Sequence, residues 1–299
     1  MICEICNLEF SERSHFWKIH KIKEKDYYEK HIPKTDLLTG EKIGFSNPEK
    51  YELDNFKDKK NLKKYLELNK EIGLEYLTNW LKTRKQLKNL EFGPSHFELR
   101  ALQYPGIKYI EEFYGQGVYK NICEKSGLKI RYNYNQEIKF EDKNLEFVMD
   151  SREQKGLSLK DYQISTLPYG DYTIKNSNIY IERKSIMDLI GSVTSGFDRL
   201  CREIEKCKND NNYLIVLIEE KFQNLLSFPY LPHCKKTKVS VEYLHHNIRE
   251  IYNKYPLNIQ FLSVNGRLES VKILEQIFKI TNNIREIDLQ YEYDRNQLN

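Results

Sequence analysis

Asp171 on one arm and Glu182-Arg183-Lys184 on the other arm of a short hairpin constrain this chain more than any other feature. Tyr172–Ile174 and Ile179–Ile181 read as strands, joined by the polar turn Lys175-Asn176-Ser177-Asn178. If the turn centres between Asn176 and Ser177, Asp171 stands directly opposite Glu182. Side chains alternate along a strand, so Glu182 and Lys184 face one way and Ile181 and Arg183 the other. Opposed residues share a face, with Cβ atoms about 5 Å apart. Two carboxylates and an ammonium then converge on one spot, on condition that no bulge shifts the register. Carboxylates so close repel each other without a counter-ion. A hard divalent cation, Mg²⁺ or Mn²⁺, takes oxygen ligands and keeps several waters. Bound there, it would acidify a water and stabilise charge on a phosphate in transfer. Lys184 would orient that water or neutralise the reacting phosphorus group.

The surroundings supply a fold class. Leu145–Met149 reads as a strand, and a helix follows from Met187. Tyr213–Ile218 is an unbroken apolar run of the buried-strand type. Val241–Tyr255 reads as helix, Ile259–Val264 as strand and Leu268–Ile280 as helix. Strands alternating with helices imply an α/β domain over residues 144–285, with 286–299 expected to be a loose tail. Upstream, residues 50–135 read as helical: Leu62, Tyr65 and Leu66, then Leu74, Leu77 and Leu81, follow the spacing of an amphipathic face.

These residues carry a resemblance. Val148–Glu153, then Gly170-Asp171, Glu182-Arg183-Lys184-Ser185 and Asp188-Leu189, resemble the XPF-type, structure-specific flap nucleases, within the wider PD-(D/E)xK group of restriction-endonuclease-like folds. The family signature is Gly-Asp, a gap, Glu-Arg-Lys, three residues and Asp, and the chain reads it without substitution. Phe197–Leu200, Tyr213–Glu220 and Ile259–Val264 follow in the family's order, so the resemblance spans about residues 145–282. It implies that Asp171 and Glu182, with the Arg183 carbonyl, hold Mg²⁺ or Mn²⁺, and that Asp150 and Glu153 complete the acidic cluster. It also implies that Lys184 serves the water or the transition state, Arg152 and Arg183 contact phosphates, and Asp188 supports the ligands from behind. An ordinary salt bridge is the competing role for Arg183. Family members carry tandem helix-hairpin-helix modules and usually dimerise; here the chain ends soon after the nuclease segment, so flap or junction specificity is not carried over.

Two further modules are expected. Residues 1–35 are too few to bury a core, and a structural Zn²⁺ would stabilise such a unit by roughly 10–16 kcal/mol. Cys3 and Cys6 form a CxxC knuckle, His20 is the firmest histidine, and His15 and His31 compete for the fourth place. The segment resembles small two-Cys, two-His fingers at the N-termini of phage-encoded DNA enzymes. Residues 93–132 resemble the helix-turn-helix repeat that accompanies homing endonucleases, through Pro94-Ser95, Pro105, Tyr114-Gly115 and Gly127-Leu128. Ser95 and Glu98 make a capping box. The helix after Pro105 would read DNA through Lys108 and Tyr109; the alternative is a helical spacer packed on the nuclease.

Charge fits this division. The total is +4, but residues 61–140 hold 14 basic and 9 acidic side chains, whereas residues 1–60 hold 12 of each. A basic middle section suits a polyanionic partner. No run approaches the roughly 18 apolar residues of a membrane span. With no signal sequence at the start and six cysteines, a cytoplasmic site in a bacterial or phage-infected cell is expected. The cysteines of the central helices read as small apolar residues, and His245-His246 as helix-surface histidines. The sequence thus points to a metal-dependent DNA endonuclease of phage or mobile-element type with site-recognising accessory modules. DNA is the partner, and pairing of two copies is possible. A structure-specific fork or flap nuclease and a catalytically silent DNA-binding scaffold are the rivals.

Overall fold

The computed structural model describes residue 21 and residues 70–298, apart from 103, 235 and 236. The finger ligands Cys3, Cys6, His15, His20 and His31 lie outside the described residues. The chain divides into two compact units, residues 1–89 with 125–127, and residues 90–124 with 128–299. In the first, helix α1 (Lys70–Lys88) buries a stripe of Tyr76, Leu77, Trp80, Leu81 and Arg84 at helical spacing. Lys85 Nζ donates to the Gly127 carbonyl, 2.7 Å away.

The second unit is built on a six-stranded mixed sheet. Its strands are β1 (Phe147–Asp150), β2 (Tyr162–Ser165), β3 (Tyr172–Ile174), β4 (Ile179–Lys184), β5 (Tyr213–Ile218) and β6 (Ile259–Ser263), in the order β2-β1-β3-β4-β5-β6. The helices are α2 (His96–Ala101), α3 (Ile107–Tyr114), α4 (Val118–Lys125), α5 (Ile186–Val193), α6 (Phe197–Asn209), α7 (Phe222–Leu225), α8 (Val241–Lys254), α9 (Arg267–Lys279) and α10 (Leu289–Asp294). Among the described residues, no helix is long and apolar enough to cross a membrane.

The all-apolar run of β5 makes sense once its neighbours are seen. It pairs in parallel with β4 and with β6, and helices cover both faces. Leu214, Val216 and Ile218 point into one core with α5, α6 and α8; Ile215 and Leu217 point into the other with α9. Each core rests on period-two alternation along the same strand.

The capping box at Ser95 forms as the sequence implies: Glu98 N–H donates to Ser95 Oγ and Ser95 N–H to Glu98 Oε2. The carboxylate is buried there because Arg131, equally buried, pairs with it. Three expectations change. Helices α2 and α3, with α4 as far as Glu124, fall in the same unit as the sheet rather than with the segment before residue 90. Residues 288–298 are not a loose tail, since α10 buries Leu289, Gln290 and Tyr291, and Leu298 is buried beyond it. Gln290 Oε1 accepts from Ser263 N–H and Gln260 Oε1 from Leu289 N–H, so amide side chains dock the helix along β6. His245 is not on the surface: it is 1% exposed, with Nε2 3.1 Å from the Leu225 carbonyl.

Candidate active site

The site begins with a local departure from regular strand geometry. Tyr172 pairs with Ile181, the register the turn implies, and Asn176 takes the left-handed backbone at φ 62° in that turn. At Asp171 the ladder breaks. In a regular antiparallel pair a residue exchanges both its polar groups with one partner. Asp171 instead donates its N–H to Ile181 O on β4 and accepts from Asp150 N–H on β1, both at 2.8 Å. The chain therefore bulges here, the event on which the simple register was conditional.

Gly170 permits this bulge. Its φ is +55°, and a Cβ would lie 2.9 Å from Ile181 O and 3.0 Å from Ile181 C. Asp171 then turns its carboxylate into the ladder: Oδ2 accepts from Arg183 N–H at 2.8 Å, in the place of a strand carbonyl. No other group of the described chain bonds to the remaining oxygen, Oδ1. Glu182 pairs with Lys184, two residues along the same face.

A cleft of about 1060 Å³ opens over this end of the sheet. Asp171, Glu182 and Lys184 line it, together with Arg152 from the β1–β2 loop and Arg199 and Glu203 from α6. Burial and then the Glu182 charge push the Asp171 carboxyl up to about 7. The same two causes raise Glu203, whose Oε1 lies 3.5 Å from Gly170 N. These acids repel one another, and among the described residues only Lys184 forms an ion pair with one of them, which is the environment a divalent cation relieves.

The other residues singled out in the sequence have different duties. Asp150 is 2% exposed and spent on its own neighbourhood: Arg152 grips both of its oxygens at 2.7 and 2.9 Å, and the Arg152 and Leu167 N–H groups add two more bonds. The Arg152 bond, working against burial, draws it down to about 2. These four bonds anchor the β1–β2 loop. Glu153 is committed too, with both oxygens 3.1 Å from Arg183 Nη2. The other end of that guanidinium, Nη1, meets Glu219 at 2.7 Å. Arg183 is thus a half-buried clamp between two acids. Asp188 accepts from Ser185 Oγ at 2.6 Å and helps start α5 immediately after Lys184. Arg152 keeps 69% of its side chain exposed on the cleft.

Lys108 and Tyr109 are half-buried on α3. Lys108 Nζ donates to the Asp294 carbonyl at 2.8 Å, and Tyr109 stacks on Phe113 with centroids 5.5 Å apart. Sequence reasoning missed Glu203 because its helix marks only the apolar face, Leu200, Cys201, Ile204 and Cys207. It also missed Glu219, in the pair that ends β5.

The donor set fits a hard cation in one form only. Among the described residues, no three His, Cys, Asp or Glu side chains form a ready-made metal group. Arginines hold Asp150 and Glu153 back, leaving Asp171 and Glu182. Two carboxylates completed by water and substrate phosphate are what Mg²⁺ ordinarily accepts.

Residues 135–277 match the ERCC4 domain. This is the XPF-type nuclease domain, and the match contains the hairpin, the cleft and every strand of the sheet. A comparison with curated proteins gave no match. Among solved structures, XPF from Aeropyrum pernix is 18% identical with a TM-score of 0.35, over 47% of this chain and 68% of that one. XPF from Aeropyrum pernix in complex with DNA gives 18% and 0.35 as well, over 44% and 62%. The ERCC4 domain starts after α4 and ends within α9, so α2–α4 and α10 are additions packed against it.

Proposed function

We propose that this chain is a metal-dependent DNA endonuclease that hydrolyses phosphodiester bonds of branched DNA at the Asp171–Glu182–Lys184 floor. One observation carries the reading: in the cleft of an ERCC4 domain, Asp171 bears the charge of Glu182, and among the described residues Lys184 is the one cation paired with either acid. Asp171 and Glu182 would hold Mg²⁺ or Mn²⁺, with Glu203 beside them. The cation, when bound, supplies an acidified water and offsets charge on the phosphate. Lys184 keeps its ammonium at the Glu182 carboxylate, where it can neutralise charge developing on the phosphate oxygens. Arg152, fixed by Asp150, presents its exposed edge to the DNA backbone.

Branched DNA is preferred over a defined site because of the ERCC4 match and because the half-buried Lys108 already donates to the Asp294 carbonyl. An enzyme of the phage or mobile-element kind would draw its specificity from the zinc finger of residues 1–35 and from α3. The test is cleavage of labelled fork, flap, linear duplex and single-stranded DNA with Mg²⁺, with Mn²⁺ and with EDTA. Fork or flap cleavage that EDTA stops and Glu182→Gln abolishes supports the reading. Cleavage of one duplex sequence with no preference for branches favours the site-recognising enzyme. Binding without cleavage of any substrate favours the silent scaffold.

A further inference from the structure

The cleft has a second polar corner, away from the hairpin, where α5 gives way to α6. Ser192, Ser195, Gly196 and Arg199 line it. The two helices meet closely, with Gly196 N–H donating to Gly191 O at 2.8 Å. A Cβ on Gly196 would come within 3.2 Å of the Ser192 Cα. With glycine at its N-cap, α6 has no side chain on its first-turn amides. Those amides and the helix dipole favour an anion. Asp198, the acid of that turn, is exposed and does not line the cleft.

Two side chains point independently to a ligand. Ser192 is only 6% exposed and lines the cleft, yet its hydroxyl has no hydrogen-bond partner among the described residues. That hydroxyl is open to the cleft rather than enclosed in the core, so a ligand there can reach it. Arg199 is exposed on the cleft wall, and among the described residues it has no ion-pair partner. The distance to the floor is also informative. Arg199 and Glu203 are four residues apart on α6, hence about 6 Å along its axis, and Glu203 reaches back to Gly170 beside Asp171. A cationic corner one helical turn from an acidic floor suits a chain of phosphates, one over the carboxylates and a neighbour over the corner.

We propose that Arg199, Ser192 and the amino-terminal end of α6 form a second phosphate subsite, which holds a DNA phosphodiester next to the one cleaved. The subsite deepens the nuclease reading and rests on it. Arg199 supplies charge and a planar donor fork, and Ser192 supplies a neutral hydrogen bond.

The test is binding of the full chain to fluorescein-labelled duplex and fork DNA in EDTA, across a salt series, beside cleavage in Mg²⁺. Each phosphate neutralised contributes about 0.9 to the slope of log K against log salt on duplex DNA. Arg199→Gln should lower that slope by about 0.9 and weaken fork and duplex alike, whereas Arg199→Lys should keep the slope. Ser192→Ala should weaken binding several-fold at an unchanged slope. A wild-type slope in Arg199→Gln, or full affinity in Ser192→Ala, overturns the subsite while leaving the nuclease reading intact if the wild type cleaves. Wild-type protein that neither binds nor cleaves DNA overturns both.

Discussion

The cleft floor and the junction of α2 with α10 both gather carboxylates out of open solvent, and they differ in the donors they supply to them. At the junction, Asp288 accepts from His96 N–H, Tyr291 N–H and the Tyr134 hydroxyl. Asp294 pairs with Arg100 and His96, and Glu98 with Arg131 and the Ser95 N–H. At the floor, Asp171 has one backbone donor and an acidic neighbour, and its carboxyl rises to about 7. The contrast repeats within a single hydrogen bond: Asp150 donates its N–H to Asp171 O, yet Arg152 draws the Asp150 carboxyl down to about 2. A buried acid whose donors come from its own chain holds the fold together. One left with an open oxygen beside another acid is arranged for something from outside. Acidic residues in a cleft therefore do not count equally, and the arginines decide which ones can meet a cation.

The comparison can be broken in several places. Lys184→Ala removes the only ammonium paired with the floor acids and should reduce fork cleavage by roughly 10²–10⁴-fold, as losses of positioned proton-transfer or charge-stabilising groups do; steady-state kinetics would read it, and cleavage within tenfold of wild type would remove Lys184 from the chemistry. Glu98→Ala at the junction leaves Arg131 buried and unpaired, so urea unfolding should show a loss of about 3–5 kcal/mol. A loss under 1 kcal/mol would mean that water reaches Arg131.

Asp171→Asn separates the two roles of one residue. The amide oxygen can keep the bond to Arg183 N–H while the repulsion with Glu182 disappears. Near pH 8 in EDTA this variant should be more stable than wild type by about 2 kcal/mol, after discounting for solvent, although it is inactive. Lower stability would show that the carboxylate is structural. His245 gives an effect of similar size, with its own pH signature. Burial holds the imidazole down to about 4, so between that value and about 6.5 the unfolded chain takes up a proton that the folded chain refuses. Its contribution to stability is complete above pH 6.5 and is lost as pH falls. Between pH 7 and pH 5, wild type should lose about 2 kcal/mol more than His245→Phe; parallel profiles would show that the histidine is solvated.

Much of this architecture is legible in the sequence because it rests on local rules. The apolar run of β5, the hairpin with Asn176 in its turn and the capping box at Ser95 follow from burial, turn chemistry and capping. What escaped depends on distant partners. Strand β2 is exposed along its whole length, so its four-residue alternation Tyr162-Gln163-Ile164-Ser165 marks no buried face. Helix α10 buries Gln290 and Glu292, polar residues that read as surface until Ser263, Gln260 and Arg295 are brought to them. At the site, Asp171, Glu182 and Lys184 stand out in the sequence, but the bulge at Gly170 and the pairing of Glu153 with Arg183 do not. Neither does Glu203, which a helix from elsewhere in the chain delivers. Residue types gave the chemistry, and only the packing shows which acids are already spent.

Thermal melting of wild type and Asp171→Asn with increasing Mn²⁺ at pH 8 tests the central claim most directly, because it reads the cation at the floor without relying on cleavage. Wild type should begin as the less stable protein and gain melting temperature as Mn²⁺ binds, while Asp171→Asn should begin higher and respond weakly or not at all. Equal responses from the two proteins, or no response from wild type at millimolar Mn²⁺, would contradict a cation site built on Asp171 and Glu182.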